Sequence, residues 1–472
     1  MASIGYDTHH HTLTHCSLMP AKLHSLSRQF WRYTLPTVAA MLVNGLYQVI
    51  DGIFIGHVMG ADGLAGINLI WPLIAGMLGI GLMIGVGAGA KISAARGKGH
   101  DPSGHHTLAV AIGLVLLLSV FLSFALVAWG QYLLALQGAE QVPLAFAVQY
   151  LDVLVWANMF TLGSMAVPIL LRNDDQPGLA TRLMMLGALL NIGFDLVFIV
   201  WLEWALTGAA IATALAQAAV TLVGVSYFFS RRSRLQVIWP SWSQAWSITR
   251  HICAIGAASW IMYGYSAVMV AVHNHLLMLH GGKLAVGAYA VIGYVVIVYY
   301  LLAEGVANGM QPLVSFYAGA SQPHWIKRCL LMALSCVLVT GVAFVAVING
   351  LPNTLARVFV GSGNPALLDS TVNGLRLHLI LLFLDGFIVV AAAYFQAIHH
   401  GRTALMISIG NIVLQLPFLF LFASYWQLDG VWLAYPASNL ALAIPVGAWL
   451  AIDLRRRLRH LSQTDANVGD FC

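Results

Sequence analysis

Two aspartates fall inside long apolar runs. Asp51 lies near the end of L-P-T-V-A-A-M-L-V-N-G-L-Y-Q-V-I-D-G-I-F-I-G, residues 35–56, and Asp195 lies within L-L-N-I-G-F-D-L-V-F-I. A charge at membrane depth costs about 2.5–3.5 kcal/mol on insertion scales, so such acids mark ion pathways or proton relays. Asn191 precedes Asp195 by one helical turn, so the two side chains share a face. Thr213 sits in A-A-I-A-T-A-L-A-Q. Counted at 1.5 Å per residue, Asp51 and Asp195 each lie roughly 9 Å, and Thr213 roughly 12 Å, from the same end of their helices. Asp51, Asn191, Asp195 and Thr213 can therefore converge at one level. Two carboxylates, an amide and a hydroxyl suit a hard monovalent cation such as Na⁺, or a shared proton. Two neighbouring acids cannot both stay ionised cheaply, which favours proton or cation uptake.

Other residues could line a cavity or move. Glu304, in L-L-A-E-G-V-A-N-G, and Asp385, in L-F-L-D-G-F-I, are further acids in apolar surroundings. Tyr289 and Tyr299 could stack on organic cations. Pro36 lies fifteen residues before Asp51. It removes a backbone hydrogen bond and favours a kink, which would make the helix carrying Asp51 a mover. Gly81, Gly85, Gly87 and Gly89 permit close helix packing, and no phosphate loop is implied. A metal site beyond Na⁺ is not expected. His9, His10, His11, His15 and Cys16 lack a ligand spacing, and His273 and His275 do not share a helical face. The five cysteines form no CxxC. An enzyme is therefore not expected.

The elements that must hold these residues are spanning helices. The chain is 60% hydrophobic and 8% charged, far below the roughly 25% charged of soluble domains, so a soluble globule is excluded. Twelve apolar runs long enough to cross a bilayer fall at about 33–57, 64–90, 105–129, 144–170, 179–201, 205–229, 251–279, 284–316, 328–350, 373–398, 403–425 and 429–452. With the N-terminus inside, 19 of the 22 Lys and Arg fall in inside segments; only Lys283, Arg357 and Arg376 fall outside. That bias predicts an inner-membrane protein with both termini cytoplasmic. Scattered over short loops, the net charge of +5 is no nucleic-acid signal. Residues 1–27 read as a disordered tail without a secretory signal, with Met1 or Met19 as the start.

The chain also repeats. G-A-D-G-L-A-G-I-N before G-V-G-A-G-A-K is echoed by G-G-K-L-A-V-G-A-Y-A before A-N-G-M-Q-P-L, about 221 residues later. The expected architecture is all-α: two six-helix lobes, 28–229 and 251–455, related by a pseudo-twofold along the membrane normal with the substrate path between them. Residues 230–250, rich in Trp and Arg, read as a cytoplasmic linker, and 456–472 as a cytoplasmic tail. The second-half positions that match Asn191, Asp195 and Thr213 are approximately Gln415, Leu419 and Tyr435, so the repeat keeps the scaffold and drops the acids.

P-T-V-A-A-M-L with Y-Q-V-I-D-G-I-F-I-G, G-A-D-G-L-A-G-I-N, I-L-L-R-N-D-D-Q-P-G-L-A, L-N-I-G-F-D-L-V-F-I, G-A-A-I-A-T-A-L-A-Q and Y-F-Q-A-I together resemble the multidrug and toxic compound extrusion (MATE) transporters, over about residues 28–455. The resemblance implies alternating access and export of organic, often cationic, compounds in exchange for Na⁺ or H⁺, with no cofactor. It implies a cation site at Asp51, Asn191, Asp195 and Thr213, and a bending first helix at Pro36. The family's R-N-D-G loop reads R-N-D-D here, at Arg172 to Asp175, and the middle of the seventh helix carries no acid, which puts the coupling weight on the first lobe. The expected partners are small organic molecules and the bilayer, and the expected state is a monomer. The alternative is a flippase for a lipid-linked saccharide, which an arginine-lined cavity would favour.

Overall fold

The computed structural model describes residues 23–99, 102–136, 141–360 and 365–469. Apolar runs in a bilayer have no water to bond their amides, so each satisfies its own backbone as helix. The elements are α1 (Leu23–Gly97), α2 (Ser103–Ala135), α3 (Gln141–Asn173), α4 (Pro177–Asp195) with a π-turn at Leu196–Trp201, and α5 (Ala205–Phe228). Then follow α6 (Trp242–Gly319), α7 (Pro323–Gly350), α8 (Pro352–Val360), α9 (Pro365–His378), α10 (Leu382–Ala397) and α11 (Gly401–Gly469).

Among the described residues, nine segments are long and apolar enough to cross a membrane, or ten if α9 and α10, bent by 49°, form one span. Those ten already count α6 as two limbs; the other two of the twelve expected spans come from α1 and α11, which double back as α6 does. Thr34 of α1 abuts Gly309, and Gly97, at the far end of α1, abuts Phe316; both ends therefore lie beside the same stretch of α6. In α6 the break is Gly282, at φ 66°. In α11 it is Gln427, at φ 49°, and Gly410 meets Leu442 across the fold. Large apolar side chains such as Phe124, Val127 and Leu117 stay exposed on the outside of α2, as a lipid-facing surface requires.

Three helix ends run past the expected lobe bounds. Helix α1 begins at Leu23, inside the stretch 1–27 expected to be disordered; residues 1–22 lie outside the described set. Helix α6 begins at Trp242, inside 230–250, because Ser241 and Gln244 form a capping box. Helix α11 runs on to Gly469, into the expected tail.

The two halves meet in reciprocal contacts. A Cβ on Gly97 would reach the Phe316 carbonyl at 1.9 Å, and one on Gly319 would reach the Ala94 carbonyl at 1.9 Å. Ala94 and Gly97 precede Phe316 and Gly319 by the same repeat offset, so each contact is the other's image. The pattern continues: Gly87 lies against Ile252 as Gly309 lies against Thr34, and Gly256 against Met83 as Gly305 against Val38. Each lobe also lends its first helix to the other. Leu26, Phe30 and Tyr33 sit in the second lobe's core, and Ile248 and Ile252 in the first lobe's. This seam closes the end of the bundle that carries Lys91, Arg96, Arg172 and Arg234. Only residues without side chains allow backbones so near, so a branched chain must force the seam apart.

Gly87→Leu should open this end. In a background freed of the native cysteines, a cysteine at Ala94 should react several-fold faster with a membrane-impermeant maleimide applied to the basic side. Unchanged labelling would mean that the seam does not hold the lobes together.

Candidate functional site

The first-lobe set predicted from sequence is brought together. Asp195 ends α4, where the α ladder gives way to the π-turn and the Leu202 amide donates to the Val197 carbonyl at 2.9 Å. π-turns of this kind concentrate at functional sites. Asp195 and Asn191 are buried, at 0% and 2% exposure. The Asn191 amide donates to Thr213 Oγ1 of α5 at 3.2 Å. Asp51, on the first limb of α1, is close enough to Asp195 to act on it electrostatically. Oδ1 of Asp51, both carboxylate oxygens of Asp195 and Oδ1 of Asn191 are buried and meet no donor. Each such buried acceptor left unmet costs about 1–3 kcal/mol, more when charged.

A central cavity of about 360 Å³ runs between the lobes. Asn191 and Thr213 line one wall, Tyr300 and Glu304 the other, with Arg172 bordering it from the end of α3. Asp51 and Asp195 are not among the lining residues. Glu304 lines the cavity as expected. Tyr289, Tyr299 and Asp385 do not. One residue along a helix is a turn of about 100°, so Tyr300 faces the cavity while Tyr299 points away and donates to the Val337 carbonyl at 2.9 Å. Pro36 is interior to α1, and helical assignment runs through it; its carbonyl accepts from Thr181 at 3.0 Å.

Asp385 and Tyr289 belong instead to buried polar groups inside the second lobe. Asp385 is 3% exposed and bonded by Tyr435, while Tyr265 donates to Gln415. Nearby, His273 stacks on Tyr289 and His378 on Tyr435. Gln415 and Tyr435 stand at the positions matching Asn191 and Thr213, so the second lobe does keep polarity at this level. Sequence reasoning missed it because the partners come from separate helices with no common spacing. The burial of His273 beside exposed His275 agrees with their expected separate faces.

The R-N-D-D loop is a hub at the closed end. Asn173 accepts from Ser93 at 2.7 Å, and its amide reaches Gln311 of the other lobe at 3.4 Å. Asp174 accepts from Tyr227 at 2.8 Å and from Ser233 and the Arg234 amide at 3.3 Å. Asp175 accepts from Tyr33 and pairs with Arg234 at 3.1 Å. Asp175 has φ 65°, in the left-handed region that glycine fills in the resembling pattern; Asp is among the few residues that tolerate it. His399, its image in the second lobe, has φ 64°.

Two pseudosymmetric helical lobes around a central cavity are the architecture of a membrane transporter. The MatE family model matches residues 36–197 and 254–421, most of the chain, and the protein belongs to that family. It is 25% identical over 436 residues to the multidrug export protein MepA of Staphylococcus aureus (strain MRSA252), covering 89% of this chain and 93% of that protein. The Staphylococcus haemolyticus MepA is 22% identical over 442 residues, with 93% and 96% covered. Among solved structures, an outward-facing multidrug resistance MATE transporter of the MOP superfamily superposes with a TM-score of 0.86 at 23% identity, covering 92% of this chain and 97% of that one. The fold is thus that of this family's transporters.

Two loop substitutions check the geometry. Asp175→Gly relaxes the turn but removes the Arg234 ion pair and the acceptor of Tyr33, and should lower thermal stability in detergent only slightly. Asp175→Val should cost about 1–2 kcal/mol from the left-handed backbone alone, read as a clear fall in melting temperature. Burial, then His251, Lys91, Lys98 and His400, lower the His399 pKa from 6.5 to about 4. The folded state therefore keeps His399 neutral, and its stability is held above pH 6.5 and lost as pH falls toward about 4. His399→Asn, which keeps the turn, should flatten that loss in melting curves taken across this window.

Proposed function

We propose that the protein is a secondary antiporter that exports organic, often cationic, compounds in exchange for H⁺ or Na⁺. The observation that carries this reading is the set of buried, donor-free oxygens on Asp51, Asn191 and Asp195. A proton or a Na⁺ satisfies them, and nothing among the described residues does. Asn191 and Thr213 line the cavity, bonded to each other, and Asn191 precedes Asp195 by one helical turn. An occupant of the acid site and a cargo in the cavity therefore share a wall and compete. Each ligand shifts the lobe equilibrium only through differential affinity, so competition of this kind supplies coupling. Pro36 is the hinge candidate within α1.

The basic, closed end is read as cytoplasmic by the charge bias, with both termini inside and the protein in the inner membrane. The cavity then faces outward. Lobes 28–229 and 251–455 would rock about the glycine seam in alternating access. The flippase alternative is less favoured. The described cavity holds one arginine, opposed by Glu304, rather than a basic lining for a pyrophosphate.

Proteoliposomes loaded with a fluorescent organic cation test this directly, under a Na⁺ gradient alone and under a pH gradient alone. Transport driven by one gradient names the ion; transport under neither refutes the antiporter. Asp51→Asn should abolish gradient-driven transport while expression and folding persist. Wild-type rates in that variant would refute the role of the acid site.

A further inference from the structure

The cavity carries two charges that its symmetric scaffold does not need. Arg172 borders it from the first lobe and Glu304 from the second. Asp175 and His399 mark equivalent loop positions, so the image of Arg172 is Gln396, three residues before His399 as Arg172 is before Asp175. Gln396 also borders the cavity, but its amide is fully used: it donates to Ser259 Oγ at 2.8 Å and the Ile255 carbonyl at 3.1 Å. By the seam offset the image of Glu304 is Leu82, an apolar lining residue. A lobe is therefore built equally well with a neutral side chain at either place.

Arg172 is also incompletely satisfied. It is 2% exposed, yet its Nε and Nη1 meet no acceptor. Among the described residues no ion pair within 4.0 Å joins it to Glu304, although the two attract across the cavity; Glu304 is hydrogen-bonded by Asn308 on its own helix. A buried guanidinium with two nitrogens unmet is costly, and planar bidentate recognition of a carboxylate is what its fork geometry supplies. Glu304, opposite, offers a counter-charge to an ammonium or iminium.

We propose that Arg172 and Glu304 form a dipolar subsite that takes amphipathic zwitterions, with the ligand's carboxylate on Arg172 and its cationic end toward Glu304. This rests on the organic-compound exporter reading and narrows it. A monocation would use Glu304 and the aromatic wall at Tyr300 alone. A zwitterion would in addition satisfy the Arg172 donors.

The test is equilibrium binding of a matched dye pair to the full-length protein in nanodiscs at neutral pH. Rhodamine B is the zwitterion; its ethyl ester is the same chromophore as a permanent cation. Wild-type protein should bind the zwitterion at least as tightly as the ester. Arg172→Gln should weaken the zwitterion about tenfold or more and the ester little, the scale of one lost charged hydrogen bond. Glu304→Gln should weaken both. Ester binding far tighter than zwitterion binding in the wild type overturns the subsite without recourse to any variant, as does an Arg172→Gln protein that treats both dyes alike. In either case ester binding leaves the exporter reading intact. Binding of neither dye by the wild type would sink both.

Discussion

Everything in this molecule depends on backbones touching across a pseudo-twofold seam. Gly87, Gly97, Gly256, Gly305, Gly309 and Gly319 let helices of opposite lobes approach to where any side chain would collide. In a bilayer, lipid is as apolar as leucine, so no hydrophobic drive holds helices together; dispersion between closely packed small residues does that work. Such contacts add little to stability one at a time and can be broken without exposing a greasy surface to water. The seam can thus be firm in one arrangement and separable in another. The exchanged first helices, with Phe30 in one core and Ile252 in the other, keep the lobes joined at that end.

The symmetry also shows where the chain departs from it. The scaffold is shared, whereas the charges are not. Asp195 is matched by Leu419 in the second half, Arg172 by Gln396, and Glu304 by Leu82 in the first. Duplicated architecture acts as its own control: whatever one copy does without is not required to build a lobe. The second lobe nonetheless keeps a buried polar interior around Asp385, Tyr435, Tyr265 and Gln415. Polarity at this level belongs to the scaffold, and the acid with both oxygens unmet, Asp195, belongs to the first copy.

Much of this was legible in the sequence because a bilayer simplifies the code. Length, charge asymmetry and repeated landmarks gave the spans and the lobes, and the one-turn spacing of Asn191 and Asp195 placed them on one face. Convergence with Asp51 and Thr213 followed from depth alone. Facing was harder. Tyr299 and Tyr300 are both apolar-run tyrosines, and only the rotation of α6 decides which one meets the cavity. The histidine and tyrosine stacks were not legible, because residues 273, 289, 378 and 435 share no local period. The R-N-D-D departure was visible as a missing glycine. Its meaning was not: the side chain that replaced glycine ties the turn to Arg234 and Tyr33.

The π-turn after Asp195 has a mechanical consequence. It stores one surplus residue between α4 and the start of α5, held by the wide ladder bond from Leu202 to Val197. Where the ladder is already stretched, sliding it back to the tighter register requires no new rupture of packed helix. Such a slip would rotate the end of α4 and swing the Asp195 carboxylate, while Ala180 to Ala188 kept their fit against the bundle. Such a defect would give the helix slack, enough for one acid to turn in place while the packed face beside it stays still.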